Sequence, residues 1–505
     1  MVFLKDTILK ELQTNPVTQQ MIHFGNNIGN LFPNEEALCL ASAFQMDKKT
    51  RIVVKKNRYE AQQLYQRLQP LVDDALLFVM EESLRVQAIA SSPEDKQEQL
   101  YVLTQLVKED KPRIIICNTA AFLRYLPDKE LFKSLCFKFE VDQEITMAEL
   151  KQKLNRAGYT KVNYVDRPCT YASRGGIVDV YCLEYEHPIR IEFFDTVIES
   201  IRLFHEETQR TIQTIDSVLI NPATDLLFTD DQIEYLQKEI DSELKKQQAK
   251  LIQDDYEFLL DYIEKDKISI ENYDIDPHLY IYFSYLNANK LTDYVNGHII
   301  FSSQEEVENG YKKLNEETIS FIQEMVESHQ YLPKYSMFHD IFTFEKEHTI
   351  QMFHDFLDFK HPIFSKIETL EKSDQPLIQI LENLKGKNIY ISLDEEHTKK
   401  VQEALKAYSI HRNITFIEDD FYEGFTYEDL SVYTQQELFH RPSQIKRYQK
   451  TFKQGQIIQN ILELEPNDYV VHEQYGIGQY VGITTRKVKG KTLDYLHVLY
   501  NGGDE

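Results

Sequence analysis

The stretch RGGIVDVYCLEYEHPIRIEFFDTVIESIRLF, residues 174–204, reads as two β-hairpins. Successive side chains of a strand point to opposite faces of the sheet. In the run IRIEFF (189–194), both isoleucines and the first Phe share one face, which we expect to belong to a core. Arg190, Glu192 and Phe194 share the other face, toward water. A Phe on the charged side of a strand indicates a surface that meets a partner.

The charges on this solvent side depend on the turn that joins the two strands. A two-residue turn sets Glu192 opposite Glu199, whereas a three-residue turn sets Arg190 opposite Arg202. Like charges directly opposite each other cost roughly a few tenths to 1 kcal/mol. A surface arranged only for stability would avoid both pairings, which favours an interface. The alternative is that the charged side chains splay into water and Phe194 packs on a neighbouring loop.

Length and charge restrict the class of protein. The chain has 505 residues, of which 42% are hydrophobic and 12% aromatic, so we expect three to five folded domains. The formal net charge is −26, which argues against a broad nucleic-acid-binding surface, because phosphate contacts need clustered Lys and Arg. Residues 441–505 differ, with nine Lys and Arg against seven Asp and Glu. That end of the chain is therefore expected to meet a different partner.

Cysteine content and hydropathy indicate a reducing compartment. The cysteines are five in number and include no C-x-x-C pair, which argues against a disulfide framework or a zinc site. No apolar run approaches 18 residues, and residues 1–15 read as an amphipathic helix, not a signal peptide. We therefore expect a cytoplasmic protein that does not contact a membrane. The cysteines are Cys39, Cys117, Cys136, Cys169 and Cys182.

The pattern of strands and helices predicts an α/β multidomain chain. Strand followed by helix occurs twice in the first domain, as TRIVVKKN and PRIIICNT each precede a helical run, which predicts parallel βαβ units. Gly-punctuated short strands at the end predict a small β-barrel that lacks its closing strands, so we expect a piece of a longer protein. The predicted segments are an α/β domain (1–125), an α+β hairpin insertion (126–208), an acidic helical segment with one strand (209–345), a small α/β domain (350–440), a basic linker (441–465) and the barrel (466–505).

The βαβ pattern raises the question of a nucleotide site. A phosphate-binding P-loop needs glycines, a Lys for the β- and γ-phosphates, and a Ser or Thr for Mg²⁺. Where such a loop would fall, HFGNNIGNLFP carries Gly25 and Gly29 but no following Lys or hydroxyl. The strand GHIIF is followed by Ser302 and Ser303 instead of an acidic pair. The GKT triplet at 490–492 lies among alternating strand residues, and we interpret it as a hairpin turn.

No other catalytic or metal-binding pattern is evident. His339, His348 and His354 lie at spacings that do not place them on one helical face, so no metal site is predicted. The sequence contains no H-E-x-x-H and no G-x-S-x-G motif. The acidic helices at 234–272 are more simply explained as solvated faces. The chain is therefore not expected to be catalytic by itself.

Two stretches resemble known families. Residues 171–211 resemble the hairpin domain shared by the excision-repair protein UvrB and the bacterial transcription-repair coupling factors, the Mfd family. Residues 467–500 are similar to the RNA-polymerase-interacting domain of those coupling factors, which is related to CarD-type regulators. The order of the two stretches matches the coupling factors and not UvrB. NRYEAQQLYQRL (57–68) and EGFTYEDLSVYTQQELF (423–439) also resemble coupling-factor segments.

The resemblance implies a fold for each part. Residues 1–125 and 209–345 would be UvrB-like domains 1a and 1b, a RecA-like fold with a degenerate nucleotide site. Residues 126–208 would be the UvrA-binding domain inserted into it. Residues 466–505 would begin a CarD- or Tudor-like barrel.

The resemblance also implies contact residues. The family's UvrA-contacting surface carries over onto Arg174, Arg190, Phe194 and Arg202. Contacts with the RNA polymerase β subunit carry over onto Ile483, Arg486 and Leu496, although an apolar residue is expected where this chain has Arg486. Because the barrel is incomplete, we expect polymerase binding by this chain to be weak or absent.

The family's ATP-driven motor, a translocase of helicase superfamily 2 that uses ATP and Mg²⁺ and contacts DNA, would lie beyond residue 505. We therefore expect a monomeric, non-catalytic adaptor that needs no cofactor or metal and recruits UvrA to RNA polymerase stalled at DNA lesions. One alternative is an active UvrB-like ATP-dependent DNA helicase. The other is a CarD-type transcription regulator acting through residues 466–505.

Overall fold

A computed structural model describes residues 4–25, 28–81, 93–273, 276–354, 362–371, 375–417, 421–439, 469–472, 476–488 and 491–500. The chain divides into two compact units, and the second consists almost entirely of residues 446–505. Strands are numbered along the chain. Several sheets flanked by helices make the chain a multidomain α/β protein, as the sequence predicts.

The first sheet is parallel and has six strands in the order β1-β14-β13-β2-β4-β3. Its central strands β2 and β4 are buried along their whole length, as expected of strands covered by helices on both faces. The two predicted strand–helix units are confirmed, because β2 and β4 each lead into a helix. The strands are β1 (Ile28–Gly29), β2 (Arg51–Lys55), β3 (Ala75–Phe78), β4 (Ile114–Asn118), β13 (His298–Phe301) and β14 (Ile350–His354).

Helices flank this sheet in the amino-terminal segment. Several begin with a side-chain cap, for example Asn57, whose amide oxygen accepts the N–H of Glu60 at 2.9 Å. Asn118 caps the short helix after β4 in the same way. These helices are Leu4–Leu12, Pro16–Ile22, Pro33–Asp47, Arg58–Leu68, Pro93–Lys108 and Thr119–Leu123.

The second sheet contains the quoted stretch and has the order β11-β10-β9-β8-β7-β6. All neighbours are antiparallel except β6 and β7, so the predicted run of meandering hairpins is confirmed. We call it the hairpin sheet. Its strands are β6 (Thr160–Lys161), β7 (Thr170–Arg174), β8 (Ile177–Tyr181), β9 (Ile189–Phe194), β10 (Val197–Phe204) and β11 (Thr211–Ile215).

One hydrophobic core joins the hairpin sheet to the first sheet. The same cluster of buried residues contains Ile52 of β2, Ile191 of β9 and Ile299 of β13. Helices Lys129–Ser134 and Met147–Arg156 lie between the sheets in sequence. Burial of large aliphatic side chains is the main stabilising contribution in such a core. The inner face of the hairpin sheet is thereby fixed, and its other face is left to solvent.

A small two-stranded sheet crosses the boundary predicted at residue 208. Strand β12 (Ser217–Ile220) pairs antiparallel with β5 (Phe137–Glu140). Beyond it, Ala223 donates its N–H to the Ala157 carbonyl at 2.8 Å. Residues after 208 are therefore tied to the segment that precedes the hairpins.

Helices then lead back to the first sheet. The carboxylate of Asp266 is buried and accepts hydrogen bonds from Tyr282 and His278, both at 2.7 Å, which ties a long helix to the 3₁₀ turn that follows it. The predicted strand at GHIIF is confirmed as β13. The helical elements are Asp230–Gln248, Gln253–Glu271, the 3₁₀ turn Pro277–Tyr285, Leu291–Tyr294, Gln304–Glu327 and Ile341–Glu347.

A five-stranded sheet with the order β15-β18-β19-β16-β17 forms the next α/β region. Residues 350–354, placed in this region by the sequence prediction, instead form β14 of the first sheet, because β14 pairs in parallel with β13. The strands are β15 (Glu368–Thr369), β16 (Asn388–Ser392), β17 (Ile414–Ile417), β18 (Phe425–Tyr427) and β19 (Leu430–Tyr433). The helices are Leu377–Glu382, Glu395–Ala407 and Gln435–Phe439.

The second unit contains a three-stranded antiparallel sheet, β20-β21-β22. Its strands are β20 (Tyr469–His472), β21 (Gly476–Val488) and β22 (Lys491–Tyr500). The basic linker predicted at 441–465 lies outside the described residues. Among the helices that are described, none combines the length and the apolar character needed to cross a membrane.

Candidate functional site: the outer face of the hairpin sheet

The solvent side of the hairpin sheet carries all four residues predicted to contact UvrA. Ile189 and Ile191 are fully buried, whereas the Phe194 side chain is 75% exposed. The predicted alternation of β9 is therefore confirmed. We call this solvent side, with Asp179, Arg190, Glu192, Phe194 and Arg202 as its principal side chains, the outer face.

Strand register brings these residues together. Directly paired residues of neighbouring strands share a face. Asp179, Arg190 and Arg202 are paired in one row across β8, β9 and β10. In the next row, Ile177 pairs with Arg174 on one side and with Glu192 on the other, and Glu192 pairs with Ser200. The two rows lie two residues apart along each strand.

The hairpin turn is the two-residue turn considered from the sequence, but the strand register beyond it differs from the expected one. Phe194 pairs with Val197, so the turn has two residues, and Asp195 adopts a φ of 57°. A β-bulge between Ile198 and Ser200 leaves Glu199 as an extra residue. The prediction that a two-residue turn sets Glu192 opposite Glu199 is therefore wrong, because the bulge shifts the register.

The bulge produces the other predicted pairing, Arg190 opposite Arg202. The Arg190 guanidinium forms a two-point ion pair with Asp179, with Nε–Oδ1 at 2.7 Å and Nη2–Oδ2 at 2.8 Å. Arg202 forms an ion pair with Glu192. The charge of each Arg is neutralised by its own carboxylate, so the facing arginines do not by themselves indicate an interface.

Arg190 has three further features. Its Nη2 also donates to the Gln209 side-chain oxygen at 2.7 Å, and its guanidinium carbon lies 4.3 Å from the centre of the Phe204 ring. The hydrogen bond to Asp179 raises the pKa of Arg190 above its already high ordinary value. Phe204 is buried beneath it. Arg190 is thus permanently charged and held in one orientation.

The Glu192 carboxylate joins two side chains of β10. One oxygen pairs with Arg202, and the other accepts a hydrogen bond from the Ser200 hydroxyl at 2.9 Å. The Arg202 guanidinium is therefore held in place, while its buried Nε–H has no hydrogen-bond partner among the described residues.

Arg174 lies at the end of β7 and is exposed. Its guanidinium carbon stacks 3.7 Å from the centre of the Tyr164 ring, and Nη2 donates to the Asn163 carbonyl. Tyr164 is itself 64% exposed. A cation stacked on an exposed aromatic ring adds a second amphipathic group to the same end of the sheet.

Phe194 does not pack on a neighbouring loop, as the alternative interpretation required. Its ring is three-quarters exposed, and no ring contact joins it to another aromatic side chain in the described part of the chain. Exposing a Phe forgoes about 1.5–3 kcal/mol of burial. This exposure is the observation that now favours an interface.

Several supporting residues were not predicted from the sequence. Asp179 and Gln209 hold Arg190, and Tyr164 carries Arg174. Asp179 could have been found only from the register of β8 against β9. That register depends on the connection of residues 182–188, which has no recognisable turn signature.

The residues predicted to contact RNA polymerase lie in the second unit. The backbone register pairs Ile483 with Leu496, and Arg486 with Leu493. Lys491, from the GKT triplet, begins β22 and pairs with Val488, while Gly490 lies outside the described residues. The triplet therefore does not lead into a helix as a P-loop would.

The predicted degenerate nucleotide loop lies at the edge strand β1. Gly29 donates its N–H to the Ile363 carbonyl at 3.1 Å, and a Cβ built there would lie 2.6 Å from the Phe364 ring. The carbonyl of Gly25 accepts the side-chain amide of Gln351 at 2.6 Å. Both glycines are used in internal packing.

The helix after β1 disfavours a phosphate. An anion is favoured at a helix N-terminus by free N–H groups and the dipole. Here the first turn of helix Pro33–Asp47 carries Glu35 and Glu36, and the Glu35 carboxylate accepts the Phe32 N–H at 2.8 Å. The helix supplies its own anions at this end.

A buried ion pair lies where β1, β2 and β13 end. The Glu36 carboxylate is 1% exposed and lies 2.9 Å from Nζ of Lys55. Its other oxygen accepts the Ser302 hydroxyl at 2.5 Å. Ser302 stands where an acidic Mg²⁺ ligand would be expected in an ATPase, so the polar groups of this edge are paired with one another. The described residues contain no group of three or more His, Cys, Asp or Glu that could hold a metal ion.

The hairpin sheet lies within a match to a known interaction domain. A family model described as the UvrB interaction domain matches residues 137–226, and one described as the CarD-like/TRCF RID domain matches residues 464–505. The first match includes β5 to β12 and so the whole outer face. The resemblance of both stretches noted in the sequence is confirmed.

The chain as a whole resembles transcription-repair-coupling factors. It is 29% identical over 494 residues to the protein of that name from Bacillus subtilis, covering 90% of this chain and 41% of the relative. It is 27% identical to the Staphylococcus haemolyticus protein and 26% to a Staphylococcus epidermidis protein, covering 95% of this chain and 44% of each. The chain thus spans about two fifths of the length of these relatives.

We predict that Glu36→Ala lowers the free energy of unfolding by about 3–5 kcal/mol, because it leaves Lys55 charged and buried without its partner. Chemical denaturation followed by circular dichroism measures the change. Asp261→Ala, which removes the exposed ion pair with Lys265, is the control and should change stability little. Equal effects from both variants would contradict a buried role for Glu36.

Proposed function

We propose that this chain is a non-catalytic adaptor that binds the excision-repair protein UvrA through the outer face of the hairpin sheet. The observation that carries the proposal is the exposed Phe194 beside two fixed arginines. Aromatic and Arg side chains dominate binding energy at protein interfaces. The match to a UvrB interaction domain and the names of the relatives support the same partner.

The outer face is suited to binding because its charged groups are already ordered. Fixing a long side chain on binding costs about 0.5–1.5 kcal/mol. Asp179 and Glu192 hold Arg190 and Arg202 in place before any partner arrives. Nη1 of Arg190 makes no hydrogen bond within the described structure, so its N–H groups are available to carboxylates or carbonyls of UvrA.

Phe194 would act as the apolar anchor of this interface. It stands at the end of β9, one row beyond Glu192, and its ring is free to enter a pocket. Arg174 and Tyr164 would bind at the neighbouring end of β7. The contact would thus combine one central aromatic with arginines around it, as hot-spot clusters do.

We propose the parallel sheet with its flanking helices as a degenerate RecA-like domain, formed by residues 1–125 and 209–345, with the UvrA-binding domain inserted at 126–208. A small α/β domain would follow after β14, within the segment 350–440, and then a linker at 441–465. Support comes from β13, which returns to pair with β2 after the insertion. The buried Glu36–Lys55 pair supports loss of the nucleotide site.

Residues 466–505 would contribute a CarD- or Tudor-like barrel that contacts the RNA polymerase β subunit, with Ile483, Arg486 and Leu496 as contact residues. The family match at 464–505 supports this assignment. In the longer relatives an ATP-driven motor on DNA would complete the protein. The adaptor would then bring UvrA to polymerase stalled at lesions, in the cytoplasm.

We predict that Phe194→Ala and Arg190→Ala each weaken UvrA binding by at least ~2 kcal/mol, about thirtyfold in Kd. Fluorescence anisotropy with labelled UvrA measures the dissociation constants. Phe258→Ala and Arg412→Ala remove exposed residues of the same types elsewhere and should leave Kd unchanged. Unchanged affinity in both outer-face variants would refute the site.

Asp179 is proposed as a positioning residue that acts through Arg190. Asp179→Ala should lower the free energy of unfolding by about 1–2 kcal/mol, because a charge-assisted two-point contact is lost. It should also weaken UvrA binding severalfold, whereas Asp179→Glu should restore part of the affinity. Arg190→Ala and the double variant Asp179→Ala/Arg190→Ala should bind UvrA equally. Additive losses in the double variant would show that Asp179 acts independently of Arg190.

The adaptor proposal also predicts no saturable ATP binding by this chain. Glu35 and Glu36 place negative charge in the helix turn where a phosphate would have to bind. Titration with a fluorescent ATP analogue in the presence of Mg²⁺ tests this expectation. Saturable binding that unlabelled ATP displaces would favour the UvrB-like helicase alternative instead.

A further inference from the structure

The row of side chains that begins at Phe194 continues beyond the two hairpins. Phe194 pairs with Val197 across the turn. On its other side, Val197 pairs antiparallel with Glu144, which belongs to the segment between β5 and the following helix. Directly paired residues share a face of a sheet. Glu144 is therefore brought into the same row as Phe194.

The backbone contacts of this segment place Glu144 on the outer face. The Ile145 N–H donates to the Thr196 carbonyl at 2.8 Å, and the Ile198 N–H donates to the Gln143 carbonyl at 3.0 Å. In antiparallel strands this pattern belongs to a non-hydrogen-bonded pair, whose two side chains lie close together on one face. Ile145 and Ile198 point to the opposite face and are buried, while Glu144 is exposed.

The Glu144 carboxylate differs from the guanidinium groups of the outer face in having no counter-charge. Arg190 and Arg202 each form an ion pair with a carboxylate of the hairpin sheet. Within the residues that the structure describes, the Glu144 carboxylate forms neither an ion pair nor a hydrogen bond. Its charge is therefore available to a partner.

An interface centred on Phe194 would cover Glu144. Two strand spacings, roughly 10 Å, separate the two residues along the row. A protein interface of standard size buries about 800 Å² on each partner, which corresponds to a patch about 30 Å across. Removing an ionised carboxylate from water without a counter-charge is strongly unfavourable. A partner that binds Phe194 must therefore supply a positive group opposite Glu144.

A polar groove of about 420 Å³ adjoins Glu144. It is lined by residues 143–145 and by one face of helix Met147–Arg156. On this helix, the Glu149 carboxylate accepts the Thr146 N–H at 2.9 Å, and this hydrogen bond lowers the pKa of Glu149. The groove thus contains a second carboxylate, which is ionised and held in place.

The basic side chains that line the groove are already engaged in internal contacts. Arg156 forms an ion pair with Asp230 at 2.7 Å. Nζ of Lys153 lies 5.5 Å from the centre of the Phe137 ring. Because both cations are held in this way, the carboxylates beside them make the groove favourable for a cationic group of a partner.

We propose that Glu144 is a contact residue of the UvrA interface, and that it binds a Lys or Arg side chain that UvrA inserts into the groove. This inference rests on the proposed function. UvrA would present an apolar pocket for Phe194, a basic residue opposite Glu144 and, along β9, groups that accept hydrogen bonds from Arg190. Contacts of both signs fix the orientation in which two proteins bind.

Fluorescence anisotropy of the 505-residue chain with labelled UvrA tests this inference. Glu144→Lys should raise Kd about tenfold, because it sets a Lys against the basic residue of UvrA. Glu144→Gln should raise Kd severalfold and make it less dependent on salt concentration, because one charge pair is lost. Glu403→Lys, at an exposed position of helix Glu395–Ala407, is the control and should change neither quantity.

A second variant tests the groove without loss of its helix cap. Gln forms the same capping box as Glu, so Glu149→Gln removes a charge from the groove and preserves the contact with Thr146. We expect a severalfold rise in Kd for UvrA. Chemical denaturation should give the wild-type midpoint for both Glu144 variants, since that carboxylate has no internal partner to lose.

The combined results separate this inference from the function on which it rests. Weaker binding by both Phe194→Ala and Glu144→Lys would support the function and the inference. Weaker binding by Phe194→Ala, with an unchanged or lower Kd for Glu144→Lys, would overturn the inference alone, because UvrA would then present no cation at this position. A wild-type chain that does not bind UvrA would overturn both.

Discussion

The guanidinium of Arg190 joins three parts of the hairpin sheet. It contacts Asp179 of β8, Gln209 of the connection between β10 and β11, and the Phe204 ring beneath it. These contacts fix the orientation of Arg190 and tie the β10–β11 connection to β8 and β9. The same group is a principal candidate for binding a partner, so local stability and recognition are coupled in one side chain.

The alternation along β9 was predictable because side chains of a strand alternate whatever surrounds it. The bulge at Glu199 was not, because it depends on a distant segment. Glu144 bridges to Val197, and the Ile198 N–H donates to the Gln143 carbonyl at 3.0 Å. Local sequence carries no signal for such a contact. The predicted cross-strand charges were therefore only half correct.

The edge of the first sheet where a nucleotide site was considered was also only partly predictable. The missing Lys after Gly29 was visible in the sequence. The buried Glu36–Lys55–Ser302 group was not, because Glu36 and Ser302 are 266 positions apart. The pairings of β12 with β5 and of β14 with β13 were not visible for the same reason, since each joins segments distant in sequence.

We propose that the outer face binds UvrA through Arg190 and Phe194 together. The decisive measurement is a calorimetric titration of purified UvrA with this chain and with its Arg190→Ala/Phe194→Ala variant. We expect saturable binding by the wild-type chain and none detectable for the folded double variant. Equal binding by both chains, or no binding by the wild-type chain, would contradict it.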